Sequence, residues 1–174
     1  MIASAPSAQN LIRGPGTTLT EWQACPMLAN VPTISHQVLV AQGQRLVIVT
    51  PHPDDEVLGC AGLLAGMKGR EADVLLVAVT DGEASHEGSR YWTHARLRRQ
   101  RPLESLDSLA RLGLDVGALN WQRLGLPDSA VAGAEDGLVG RLLELVRPGD
   151  CVVTTWRQDG HCDHEATGRA TADV

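Results

Sequence analysis

The chain has 174 residues, a net charge of −6 and an apolar fraction of 43%. That length fits one domain with a substantial core, and the negative balance, with no long basic run, argues against a general nucleic-acid binder. No apolar run approaches the roughly 20 residues needed to cross a bilayer, and Met1 to Gln9 carry neither the basic nor the apolar region of a signal peptide.

Residues 1 to 43 show little periodicity. Gly14-Pro15-Gly16 is a breaker, Thr18 to Gln23 can start a short helix, and Pro26 and Pro32 interrupt the chain after it. The stretch reads as an N-terminal arm laid over the domain, with Trp22 anchoring it by burying its ring. From Arg45 onward strands and helices alternate. Leu46 to Thr50 is short, apolar and β-branched, the pattern of a buried strand. It feeds the loop Pro51-His52-Pro53-Asp54-Asp55-Glu56 and then a Gly/Ala-rich helix from Val57 to Met67. A second buried strand covers Ala72 to Thr80, with Asp81 to His86 as its loop. A long helix comes next, from about Trp92 to Leu112, and Gly113 stops it. Pro102 should kink or divide that helix. Arg96, Arg98, Arg99 and Arg101 fall on it at helical spacing and read as a solvated face. Ala118 to Gln122 is a third strand, followed by the loop Leu124 to Ser129. A helix from about Glu135 to Val146 ends at Arg147-Pro148-Gly149-Asp150. Cys151 to Trp156 is the fourth strand, its loop runs from Arg157 to His164, and a last helix starts near Glu165.

Such alternation predicts an α/β fold, a Rossmann-like and mainly parallel sheet with helices on both faces. Each strand ends in a polar loop, so the loops gather at the carboxyl edge, where open α/β sheets bind ligands. No G-x-G-x-x-G follows any strand, so the dinucleotide fingerprint is missing. With no Phe in the chain, Leu, Val and Ala must fill the core. The four cysteines, Cys25, Cys60, Cys151 and Cys162, form no C-x-x-C pair. A zinc ribbon is thereby excluded, and a reducing compartment, the cytoplasm, is expected. A homo-oligomer is compatible with all of this.

Two loops carry the chemistry. Pro51 and Pro53 each fix their own φ and bias the residue before them, so His52 is held extended between stiff neighbours. His52 and Asp55 offer an imidazole and a carboxylate suited to zinc. Asp54 lies between them and cannot easily point the same way as Asp55, which leaves it free as an acid or base beside a metal. A helix start alone would account for Asp54, Asp55 and Glu56 as cap and first-turn acids. It would not account for a second cluster, His161 and His164 with Asp163 between them, on an equivalent loop. One His and one Asp from the first loop and one His from the second make three ligands and leave a fourth position open, the catalytic zinc pattern.

Pro51-His52-Pro53-Asp54-Asp55-Glu56 and His161-Cys162-Asp163-His164-Glu165 together resemble the PIG-L/LmbE-type zinc-dependent de-N-acetylases. Thr80-Asp81-Gly82-Glu83, Arg101-Pro102-Leu103-Glu104 and Leu124-Gly125-Leu126-Pro127-Asp128 are similar to further motifs of that family, so the resemblance covers about residues 44 to 170. It implies that His52, Asp55 and His164 bind one zinc ion, or another divalent metal in its place. It implies that Asp54 is the general base, that a protonated His161 stabilises the oxyanion, and that Asp128 contacts the sugar. Asp163 would orient a histidine or cap a helix, and Cys162 would be inert. The implied reaction removes the N-acetyl group from an amino sugar or its conjugate, a small-molecule substrate. Family members continue beyond the helix that follows His164, so residues 44 to 174 read as a deacetylase domain cut short at its C-terminus. Two other readings stay open. One is a two-metal phosphoesterase drawing on Glu56 and Glu83 as extra ligands. The other is a module that binds metal without catalysis.

Overall fold

The computed structural model describes residues 16–174; the breaker residues Gly14 and Pro15 and the stretch Met1 to Gln9 lie outside them. Three short helices, α1 (Leu19–Ala24), α2 (Pro26–Ala29) and α3 (His36–Leu39), precede the alternating region. That region runs β1 (Leu46–Thr50), α4 (Asp55–Gly66), β2 (Val74–Thr80), α5 (His94–Arg111), β3 (Asn120–Leu126), α6 (Glu135–Leu145), β4 (Cys151–Thr154) and α7 (Cys162–Ala172). The sheet order is β3-β2-β1-β4. All three pairings are parallel, as the strand–helix alternation predicts. Among the described residues no helix is long and apolar enough to cross a membrane.

The central strands are buried throughout, and successive residues point to opposite faces. Val47, Val49, Leu75, Val77 and Val79 meet Leu138 and Leu142 of α6 and Ala166 and Ala170 of α7. Leu46, Ile48, Val74 and Leu76 meet Leu64, Met67 and Leu109 on the other face. With all pairings parallel, every strand delivers its carboxyl end to the same side of the sheet.

Three local expectations change. Pro102 lies inside a continuous α5 and does not divide it. The bond its missing N–H cannot make to the Arg98 carbonyl is replaced from outside, because Arg123 Nη2 donates to that carbonyl at 3.3 Å. Strand β3 runs on to Leu126, through residues expected to form a loop. A register shift between Ala78 and Thr80 keeps Leu126 in the ladder, and Gly125 takes up a positive φ of 66° there. Trp22 does not anchor the arm, since it is 52% exposed and α1, α2 and α3 bury no residue. The attachment comes later. Val40 is fully buried, the His36 ring lies against Gly66, and Arg70 donates to the carbonyls of Ala41 and Gln44 at 3.1 and 3.0 Å.

Helix α7 sits against the end of β4 through a close approach at Gly168. A Cβ there would lie 2.6 Å from the Thr155 carbonyl and 3.0 Å from Arg157 Cγ. The first contact is backbone and cannot swing away. Gly168→Ala should therefore cost about 1–3 kcal/mol, the usual range for overpacking, read as a lower midpoint of denaturant unfolding. An unchanged midpoint would show that α7 is not seated this tightly.

Candidate metal centre

The first site loop joins β1 to α4. Thr80 locks it to β2, with its N–H and hydroxyl both donating to the Pro51 carbonyl at 3.0 and 2.8 Å. His52 is buried behind it. The second loop joins β4 to α7, and the Thr155 hydroxyl donates to the His164 carbonyl at 2.9 Å. Because β1 and β4 are parallel neighbours, the two loops meet at one edge.

There His52 Nδ1, Asp55 Oδ2 and His164 Nε2 form a triangle. Its sides are 3.3 Å between His52 and Asp55, 3.4 Å between His164 and Asp55, and 3.3 Å between the two histidines. Ligands at tetrahedral angles and bond lengths of about 2.0–2.2 Å lie about 3.3–3.6 Å apart. The three atoms therefore fit one zinc-sized ion with a position left open, and the donor set is one that zinc takes.

Each histidine is oriented through its other nitrogen. His52 Nε2 lies 3.1 Å from Asp163 Oδ2 and 3.4 Å from Asp128 Oδ1. His164 Nδ1 bonds Asp159 Oδ2 at 2.5 Å. Carboxylates behind metal-binding imidazoles fix the tautomer and make the ligand more basic. Asp163 is fully buried and also accepts from the backbone N–H groups of Ser129 and Val131 at 2.7 and 3.1 Å. Both roles open to it fit these contacts: it faces the His52 imidazole, and it accepts from N–H groups at the start of the short helix Val131–Ala134.

Burial disfavours a charged His52, but its hydrogen bonds to Asp128, Asp163 and Asp55 outweigh that and push its pKa up to about 11. Burial likewise opposes charge on Asp55, yet hydrogen bonds from His164 and His52 hold its carboxyl well below the usual range. A metal must displace the proton on His52 Nδ1 to bind. His164 is raised as well, its burial outweighed by its contacts to Asp55 and Asp159, so metal addition at pH 7 should release at least one proton per ion, and affinity should fall as pH is lowered. Calorimetric titration in two buffers of different ionisation enthalpy measures this; no dependence on buffer would mean that His52 is not displaced.

Asp54 stands beside the triangle and takes no part in it. It occupies the N-cap of α4, but its side chain makes no capping bond, and Arg101 Nη2 reaches its Oδ2 at 3.1 Å. Burial raises the Asp54 carboxyl and Arg101 pulls it back, leaving it above its ordinary value. His161 packs its ring 4.7 Å from that of His52 and 4.6 Å from that of His164. Its Nδ1 accepts from the Asp163 N–H at 3.2 Å, so in the neutral ring the proton is on Nε2. Burial, and then the charges of His52 and His164, lower its pKa.

The remaining candidates are turned elsewhere. Asp128 accepts from the Ala84 N–H at 2.7 Å through one oxygen, and its other oxygen lies 3.4 Å from His52 Nε2 and 3.5 Å from the Ser129 hydroxyl. Glu83 pairs with Arg98 at 2.7 Å, and Glu56 accepts from the Asp54 N–H. Neither of these glutamates joins the triangle. Cys162 Sγ lies 3.4 Å from Asp163 Oδ1. Two participants escaped sequence reasoning. Asp159, two residues before His161, could have been flagged by its place in the histidine loop. Arg101, read as solvated from its helical spacing, instead donates to the Gly82 and Pro53 carbonyls at 3.0 and 2.7 Å; the signal that set it apart from its arginine neighbours was its place in the Arg101-Pro102-Leu103-Glu104 motif.

Residues 47–174 match the family model described as PIG-L, GlcNAc-PI de-N-acetylase. The chain is 34% identical, over 73% of its length, to a 1D-myo-inositol 2-acetamido-2-deoxy-alpha-D-glucopyranoside deacetylase of Mycobacterium sp. (strain KMS), of which it covers 48%. It is 28% identical to the probable N-acetyl-alpha-D-glucosaminyl L-malate deacetylase 2 of Bacillus subtilis (strain 168), with 73% of this chain and 58% of that protein covered. The fold matches the N,N'-diacetylchitobiose deacetylase from Pyrococcus horikoshii with a TM-score of 0.60 at 22% identity, over 75% of this chain and 48% of that one. The chain spans about half the length of the curated relatives it matches. With both histidine motifs inside the matched residues, the chain belongs to the PIG-L family of de-N-acetylases.

Proposed function

We propose that this protein hydrolyses the acetamide of an N-acetylated amino sugar or its conjugate, using one zinc ion. The observation that carries the reading is the triangle of His52, Asp55 and His164 with Asp54 alongside but outside it. A zinc ion held by these three atoms would supply Lewis acidity to the acetyl carbonyl and acidify water. Asp54 accepts the proton of the attacking water and returns it to the departing amine. Its raised pKa suits both transfers. His161 donates its Nε2 proton as a hydrogen bond to the developing oxyanion. Acetate and a free amino sugar result.

The named relatives act on glucosaminyl conjugates of inositol and of malate. Their shared part is the 2-acetamido sugar, which is the substrate class proposed here. The four cysteines form no disulfide, which fits a reducing compartment and the cytoplasmic placement proposed here. Glu56 and Glu83, held away from the triangle, leave the two-metal phosphoesterase without its bridging carboxylates.

The test is acetate release by the metal-loaded protein across a panel of N-acetylglucosamine conjugates, with metal content measured in parallel. The expected result is one equivalent of metal and acetate release from at least one conjugate. Metal binding without acetate release from any of them would leave a non-catalytic module, and two equivalents with phosphate-ester cleavage would favour the phosphoesterase.

A further inference from the structure

Beneath the Asp54 loop lies a carboxylate that the proposed chemistry does not use. Glu56 is only 5% exposed. Its Oε2 accepts from the backbone N–H of Asp54 at 3.1 Å. Its Oε1 is buried and meets no hydrogen-bond partner among the described residues. The side chain lines a cavity of about 10 Å³, together with Thr50, Pro53, Thr80 and the α5 residues Pro102 and Ser105 among others. A space of about that size is the least that holds one water molecule, which needs polar partners such as a carboxylate oxygen.

Asp54 itself is strained. Its φ of 125° is rare for a residue with a Cβ. An ordinary aspartate at an N-cap has extended backbone and turns its carboxylate onto the N–H groups of the first turn. Here the side chain makes no such bond, and the amide of the cap residue is taken by Glu56 from two positions further on.

We infer that Glu56 is a positioning residue for Asp54. Anchored in the cavity through one water on Oε1, it holds the Asp54 amide, and so keeps the strained backbone in place and the Asp54 carboxylate out of the capping geometry. Arg101 restrains the same residue from the other side through the Pro53 carbonyl and Asp54 Oδ2. The functional part of the inference rests on Asp54 being the base.

The test compares Glu56→Met and Glu56→Gln in the full zinc-loaded chain. Met keeps the volume and removes the acceptor; Gln keeps an acceptor oxygen. Hydrogen exchange of the Asp54 amide, followed by NMR, should speed up about tenfold or more in Glu56→Met and stay slow in Glu56→Gln. In the acetate-release assay, Glu56→Met should lower kcat about 10–100-fold, the range for outer-sphere partners, with KM and zinc affinity near their original values. Glu56→Gln should recover most of kcat. Unchanged exchange in Glu56→Met would overturn the inference, as would faster exchange with unchanged kcat. Should Glu56→Met not fold, Glu56→Asp, whose shorter side chain withdraws from the amide, replaces it with the same expectations. A wild-type protein that released no acetate would remove the functional reading, and the exchange comparison would then decide alone whether Glu56 holds Asp54.

Discussion

Replacing Asp54 with Asn is expected to cut turnover by about 10²–10⁴-fold, the usual contribution of a general acid–base group, while leaving metal affinity almost unchanged. The reason is geometric. Asp54 contributes no atom to the triangle of His52, Asp55 and His164. Asn preserves the volume, and its amide oxygen can still receive Arg101. Only the proton-accepting oxygen is lost. Asp55→Asn should behave differently. Asp55 Oδ2 touches both histidines of the triangle, so metal binding and activity should fall together. Steady-state kinetics and metal titration on both variants separate the two roles. An Asp54→Asn protein that kept full turnover with metal bound would remove Asp54 as the base and turn attention to Glu83.

Replacing Asp163 with Ala should damage both stability and metal binding, although Asp163 is not in the triangle. Its carboxylate is fully buried and receives Ser129 N, Val131 N and His52 Nε2. Alanine leaves these donors facing a void. Each buried donor without a partner costs about 1–3 kcal/mol, and a charged His52 would lose a buried partner, a loss of about 3–5 kcal/mol in comparable pairs. These costs share one void and do not add, and His52 keeps Asp128 at 3.4 Å, so a loss of at least about 3 kcal/mol is expected in denaturant unfolding of the metal-free protein. Metal affinity should drop about 10–100-fold as the imidazole loses its orienting carboxylate. Asp163→Asn, which can still accept, should lie between. Unfolding of Asp163→Ala indistinguishable from wild type would mean that these three bonds contribute nothing net.

Sign matters for pH in the same metal-free protein. His52 has its folded pKa raised above the ordinary 6.5 to about 11. Its stabilising contribution is therefore complete below about pH 6.5 and is lost as pH rises toward 11. A metal-free protein should unfold more readily at about pH 9 than at about pH 6, and bound metal, which replaces the proton, should flatten that dependence.

The core and the metal triangle were legible in the chain because their signals are local. Leu46 to Thr50 is a β-branched run ending in a proline-stiffened ligand loop, and the ligand types sit within a few residues of each strand end. The parallel sheet then brings together loops that are distant in sequence. Features that depend on tertiary partners were not legible. Arg101 has the same residue type and helical spacing as Arg98 and Arg99; the Arg101-Pro102-Leu103-Glu104 motif set it apart, but its role became visible only with the approach of the Pro53 and Gly82 carbonyls. Pro102 breaks a helix in isolation; the Arg123 guanidinium, supplied by β3, replaces the lost bond. Trp22 reads as an anchor by size alone, yet the arm is attached through Val40 and through Arg70 at the 41–44 carbonyls.

The triangle also has a meaning for folding. His52 and His164 are 112 residues apart in sequence, so an ion held between them closes a loop that takes in most of the domain. The two histidines come together only in the folded chain, so the ion is bound by the native state and not by the unfolded one. Binding that favours the native state stabilises by mass action, about 2.7 kcal/mol at a hundredfold excess over Kd. An ion bound by His52, Asp55 and His164 would thus act as a clasp on the fold. Its removal would take that increment from the folded state and release the loop between β4 and α7 from the loop after β1.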